Sequence, residues 1–177
     1  LQEWSRFAGE TDPGEWRNML VFGDNLGVLA ELLRMKQRGE LKNADGTDGI
    51  RVCYIDPPFA TKREFTNSRG VTAYKDKVSG AEFVEFLRRR LILIRELLAD
   101  DGTLWVHLDS KKLHYAKVVL DEIFGDKCFR SEVVWRSADP KNNVTRSFGG
   151  VHQTMLVYSL TPDSFVFNVM KSRRTAS

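Results

Sequence analysis

The chain has 177 residues, of which 42% are hydrophobic and 29% charged, and a formal net charge of +3. That length suits one domain with a sizeable core, and the composition excludes an intrinsically disordered or low-complexity chain. The small net charge does not by itself prove a nucleic-acid partner, and no run of sequence approaches the length that spans a membrane, so the expected location is cytoplasmic.

Residues 1–18 are polar with two tryptophans, Trp4 and Trp16, and read as an irregular amino-terminal arm. Met19 to Phe22 reads as a short buried strand, and the spacing of Leu26, Leu29, Leu32 and Leu33 predicts a helix from about Leu26 to Gln37. The polar stretch from Gly39 to Gly49, with Asp45-Gly46 and Asp48-Gly49, reads as a surface loop. Next, Ile50-Arg51-Val52-Cys53-Tyr54-Ile55 forms a β-branched, apolar run that predicts a buried strand ending at Asp56. A right-handed crossover is expected for this strand, helix and parallel strand.

Ala60 to Val78 is expected as a long loop. Ser79, with Glu82 three residues later, is a capping-box signature that opens a helix to about Ala99, carrying Phe83, Phe86, Leu87, Leu91, Ile94 and Leu98 inward until Asp101-Gly102 ends it. Thr103 to Leu108 reads as another buried strand, Lys111 to Phe124 as a helix, and Gly125 as its stop. Ser131 to Trp135 and Gln153 to Leu160 read as an antiparallel pair at one sheet edge, and Phe165 to Asn168 as the start of a further element. The predicted architecture is α/β, with a mostly parallel sheet and an antiparallel edge pair. It divides into an arm (1–18), a main domain (19–160) and the beginning of a further segment (161–177).

The chemistry concentrates at Asp56-Pro57-Pro58-Phe59. Proline lacks an N–H and pushes the preceding residue into an extended conformation, so Asp56, Pro57 and Pro58 form a stiff arm rich in acceptors and poor in donors. The Asp56 carboxylate and the Pro57 carbonyl can both accept from one exocyclic NH2 group, and Phe59 offers a flat face for a ring. Such a pocket suits an amino-bearing planar heterocycle. Asp24 ends the first strand as Asp56 ends the second, so both carboxylates are expected along one rim of the sheet, where open α/β sheets place ligands. Helix capping is the competing role for Asp24.

Other residues read more plainly. Arg88-Arg89-Arg90 spreads over different helix faces and reads as mostly solvated; Asp109 reads as a helix cap, and His107 as a satisfied core histidine. Cys53 and Cys128 read as reduced structural thiols, and His114 and His152 have no metal spacing.

The Asp-Pro-Pro-Phe segment after an apolar strand resembles the signature of DNA N6-adenine and N4-cytosine amino-methyltransferases. The resemblance extends to Phe22-Gly23-Asp24-Asn25-Leu26, Tyr74, Asp76, the Leu91-containing helix, His107-Leu108-Asp109, Tyr115 and Asp121-Glu122-Ile123-Phe124-Gly125, over roughly residues 16 to 160. Its order is similar to that of type III restriction-modification methylation subunits, in which Asp-Pro-Pro precedes a glycine-rich segment. It implies a partial Rossmann-like sheet that uses S-adenosylmethionine, with Asp24, Asn25 and Asp56 facing the cofactor and Asp56, Pro57, Pro58 and Phe59 carrying the chemistry on a flipped base.

DNA is then the expected partner. Lys62, Arg63, Arg69 and Lys75, interleaved with Phe65 and Tyr74, suit phosphate contacts beside that base, and Lys141 and Arg146 form a second candidate surface. A restriction subunit and a second copy of the chain remain open as further partners. Asp at the first signature position favours adenine. N4-cytosine or RNA as substrate stays open, as does a DNA-binding subunit or remnant without catalysis, while the segment order argues against a protein glutamine. The chain starts at Leu1 rather than Met and holds no Phe-x-Gly-x-Gly segment, so it reads as a fragment. The resemblance implies that the absent part supplies two strands between the Asp24 and Asp56 strands.

Overall fold

A computed structural model describes residues 19–57, 80–138 and 150–169, together with the backbone of three short strands, 3–5, 64–66 and 72–75. In chain order the elements are β1 (Glu3–Ser5), β2 (Leu20–Phe22), α1 (Asn25–Gln37), β3 (Ile50–Ile55), β4 (Glu64–Thr66), β5 (Thr72–Lys75), α2 (Ala81–Leu97), β6 (Leu98–Leu108), α3 (Leu113–Phe124), β7 (Phe129–Arg136) and β8 (His152–Ser159).

The central sheet has the order β3-β6-β8-β7. β3 and β6 run parallel, with Cys53 opposite Leu104 and Ile55 opposite Val106. β8 runs antiparallel to β6 and also to β7, so the antiparallel part is larger than the edge pair expected. The α/β class and the expected β7–β8 pairing stand.

One face of this sheet carries the core because alternate residues of each strand are apolar and turn toward the helices. Leu104, Val106 and Leu108 of β6 and Leu156 and Tyr158 of β8 pack against Phe83, Leu87, Leu91 and Ile94 of α2 and Ala116, Val119 and Leu120 of α3. Tyr158 keeps its hydroxyl satisfied inside this core by donating to Asp121 Oδ1 at 2.7 Å, and Lys117 Nζ holds both Asp121 oxygens at 2.7 Å. Burial and the adjacent Asp121 carboxylate raise the Tyr158 phenol well above its ordinary value, so it stays a neutral donor.

Four local expectations change. The amino-terminal arm is not wholly irregular, because Glu3–Ser5 pairs antiparallel with Leu20–Phe22, Trp4 opposite Val21. The β2 strand is not buried: Phe22 is 88% exposed, and β2 has no ladder to β3. An apolar run reports a preference for burial, but whether a face is covered depends on what lies against it. The Ala60 to Val78 stretch contains a hairpin, β4 with β5, in keeping with its Phe, Thr and Tyr content. Finally, α2 starts from Gly80 with φ +61 and no side-chain cap, while Ser79, the expected cap, lies outside the described residues.

β6 also begins five residues earlier than expected, directly after α2. Leu98 and Ala99 are buried, which draws the chain into the sheet at once, and Asp100-Asp101-Gly102 becomes an irregularity where β3 advances from Ile50 to Val52 as β6 advances from Leu98 to Thr103. Two glycines make that junction sterically possible. A Cβ on Gly49, which has φ +102, would lie 2.8 Å from the Leu97 carbonyl oxygen, and one on Gly102 would lie 2.7 Å from the Ile50 carbonyl oxygen. Gly49→Ala is therefore expected to lower stability by about 2 to 3 kcal/mol. Chemical denaturation of the variant beside the parent checks this; an unchanged midpoint would contradict the close approach.

The other face of the sheet presents Val52, Tyr54, Trp105 and Val157. Part of it forms a groove of about 410 Å³ with Phe165, Val166 and Phe167, a segment that has no regular structure where a further element was expected. The groove holds no site residue. Its guanidinium, Arg130, is occupied by the carbonyls of Cys128, Pro162 and Lys127. Among the described residues no helix is long and apolar enough to cross a membrane.

Candidate active site

The carboxyl end of β3 is built so that its side chains sort cleanly by face. Cys53 and Ile55 pack against the core, while Tyr54 and Asp56 point to the opposite side, 54% and 57% exposed. Pro57 is buried and stiffens the exit from the strand, so the Asp56 carboxylate is presented to solvent on a fixed backbone. Burial pushes the Cys53 thiol up to about 11, which makes it a poor nucleophile near neutral pH.

Beside this carboxylate stands His107 from the neighbouring strand β6. Its Nδ1 lies 2.8 Å from the Tyr54 hydroxyl and 3.9 Å from Asp56 Oδ1. The sequence reading put His107 in the core as a satisfied residue; the ring is indeed hydrogen-bonded, but its place is next to Asp56. Asp109 does not cap α3 as expected: the cap position is Lys112, without a side-chain cap bond, and Asp109 instead accepts from the Lys111 N–H at 3.1 Å in the turn before the helix.

Asp24 caps α1, accepting from the Leu26 N–H at 2.8 Å, and also lies 3.5 Å from Arg90 Nη2. Arg90 Nε donates to Asn25 Oδ1 at 2.7 Å. The arginine run was read as a solvated face, and here the structure splits it: Arg88 pairs with Glu122 of α3 at 2.6 and 2.8 Å, while Arg90 turns into the site. A cleft of about 180 Å³ results, lined by Asn25, Ile55, Asp56, Pro57, Phe86 and Arg90. It joins the Asp24-Asn25 turn to the Asp56-Pro57 arm, the two places where the sequence reading put its acceptors.

Pro58, Phe59, Lys62, Arg63, Arg69, Lys141 and Arg146 lie outside the described residues. Lys75 is described only by its backbone, which pairs with Glu64 in the β4–β5 hairpin. Among the described residues no group of His, Cys, Asp or Glu is arranged to hold a metal ion.

Residues 50–176 match the DNA methylase family, whose model is named for N6 and N4 methyltransferases. The type II methyltransferase M.EcaI of Enterobacter cloacae is 40% identical over 142 residues, covering 80% of this chain and 29% of that protein. The Mod subunit of the type III restriction-modification enzyme EcoP15I of Escherichia coli is 24% identical over 174 residues, covering 85% of this chain and 25% of that protein. The chain thus spans between a quarter and a third of the length of these relatives. The solved PvuII DNA methyltransferase, described as cytosine-N4-specific, superposes with a TM-score of 0.52 at 15% identity over 79% of this chain and 48% of that one. That likeness identifies the sheet and its helices as the Rossmann-like fold expected from the sequence.

Proposed function

The chain belongs to the N6/N4 DNA methylase family, and from that premise we propose that it carries the amino-acceptor half of the active site of a DNA adenine N6-methyltransferase of a restriction-modification system. The observation that bears most weight is Asp56, which carries an exposed carboxylate at the end of β3 beside buried Pro57 and lines one cleft with Asn25. The donor set fits S-adenosylmethionine. Asp24 and Asn25 offer oxygens to an adenine amino group, and Ile55 and Phe86 offer apolar surface to its ring. When bound, that cofactor supplies an electrophilic methyl group on a sulfonium.

This chain's residues do the positioning. A target base cannot be reached inside a duplex and has to be extruded, with Phe59 replacing the stacking it loses. The N6 nitrogen is a weak nucleophile because its lone pair is delocalised into the ring. Hydrogen bonds from its two hydrogens to Asp56 and the Pro57 carbonyl favour a pyramidal nitrogen with an available lone pair. As the new N–C bond forms, one N–H proton leaves, and the exposed Asp56 carboxylate is placed to take it and release it to water. No covalent intermediate is needed, in keeping with the raised Cys53 thiol.

The family model is named for both N6 and N4 methyltransferases, so N4-cytosine is the second substrate, and Asp rather than Ser before Pro57 favours adenine. A DNA-binding subunit without catalysis is the competing class. Titration of the full-length protein with labelled S-adenosylmethionine separates the two: saturable binding is expected, and DNA binding without cofactor binding would contradict the proposal.

The basic residues after Phe59 lead to a further expectation. If Lys62, Arg63 and Arg69 neutralise phosphates, replacing all three by Gln lowers the salt slope of DNA binding by about 2 to 3, equally for all DNA sequences. An unchanged slope would remove phosphate binding from this loop.

A further inference from the structure

α1 carries Asp24 and Asn25 at its amino end, yet apolar packing holds it only loosely. None of its residues is buried, Leu29 packs against the core from its rim, and β2, which leads into it, has no ladder to β3. Among the described residues polar links bind it instead, at both ends, to α2 and to the start of β6. At the carboxyl end Lys36 Nζ donates to the carbonyls of Glu96 and Leu98, both at 2.7 Å. At the amino end Arg90 donates to Asn25 Oδ1 at 2.7 Å and lies 3.5 Å from Asp24 Oδ1.

Arg90 is itself held in place. Its Nη1 donates to the Phe86 carbonyl at 3.0 Å, its guanidinium sits 3.5 Å from the centroid of the Phe86 ring, and its side chain is 12% exposed. A planar fork can serve these directions at once and stack on a ring, whereas an ammonium is a point charge on a flexible stem. The same guanidinium lines the cleft that contains Asp56 and Pro57.

We propose that Arg90 is a positioning residue, registering the Asp24-Asn25 turn against the Asp56-Pro57 arm and so setting the spacing between the cofactor-facing and amine-facing acceptors. This rests on the methyltransferase reading above. Lys36 fixes the far end of α1 and touches neither acceptor, so it serves as the internal comparison for a purely structural effect.

The test measures S-adenosylhomocysteine affinity by calorimetry, cofactor KM and thermal midpoint in the full-length protein. Arg90→Lys is expected to weaken S-adenosylhomocysteine about tenfold and raise the cofactor KM by a similar factor, as loss of one charge-assisted hydrogen bond would. Lys36→Met is expected to lower the midpoint while leaving that affinity within about twofold. Asn25→Leu removes the acceptor from the other side and should lose at least as much, since Asn25 also faces the cofactor; Arg90→Gln, which keeps an N–H donor but loses the fork, should match Arg90→Lys and keeps the test intact if Arg90→Lys folds poorly. Wild-type affinity in both Arg90→Lys and Arg90→Gln, or an equal loss in Lys36→Met, overturns the proposal. Asp24→Ala in the same series separates the premises. If it weakens binding while Arg90→Lys does not, the positioning role alone fails; if it leaves binding unchanged, the cofactor reading fails and takes this role with it.

Discussion

Asp56→Ala is expected to lower methyl transfer by at least about 100- to 1,000-fold, the scale seen when one preorganised polar partner is removed from a reacting group. The reason is local. Asp56 presents an exposed carboxylate on a backbone stiffened by buried Pro57. Removing it leaves the Pro57 carbonyl as one acceptor for an amine that needs two. DNA affinity should stay within about threefold, because no phosphate contact is lost. Folding should also be little changed, since the side chain is exposed and takes no part in the core. Asp56→Asn should be nearly as damaging, because the amide accepts hydrogen bonds more weakly and cannot take up the proton that leaves the nitrogen. A variant with near-normal turnover would show that the reacting amine is held elsewhere.

The second large effect concerns the 177-residue chain taken by itself, which is expected to show no methyl transfer above background and to self-associate. β3 is an edge strand of the central sheet, with Val52 64% exposed beside Tyr54, and β2 stands apart from it with Phe22 in solvent. An open strand edge next to exposed apolar side chains is a template for association. Among the described residues β3 has no neighbour on the side away from β6, so the cleft between Asn25 and Asp56 is expected to hold the cofactor poorly in this chain alone. Light scattering and a fluorescent probe of apolar surface report the first consequence, and a labelled-methyl assay the second. A monomeric chain with full turnover would contradict both.

Much of this was legible from residue spacing. α2 and α3 follow from apolar residues at helical intervals, and β3, β6 and β8 from runs rich in β-branched and aromatic residues. Asp24, Asn25, Asp56 and Pro57 were singled out because each sits where a strand ends, a place the sequence marks with a change from apolar to polar. What was missed depends on partners far along the chain. The early start of β6 was hidden by Asp100-Asp101-Gly102, which has turn chemistry but forms a strand irregularity because Leu98 and Ala99 are buried. Arg90 was hidden among three arginines, since only the packing of α1 against α2 brings it to Asn25, 65 residues away in the chain. His107 alternates correctly on its strand, yet its proximity to Asp56 depends on the parallel register of β3 and β6. Period and composition do not carry that register.

The central claim is tested most directly by incubating the full-length protein with methyl-labelled S-adenosylmethionine and unmethylated DNA, digesting the DNA to nucleosides and identifying the labelled one. Label in N6-methyldeoxyadenosine, lost in Asp56→Ala, is the result expected. Label in N4-methyldeoxycytidine would keep the family chemistry and overturn the choice of base, and DNA that remains unlabelled while both DNA and cofactor bind would contradict the assignment of Asp56 to amine methylation.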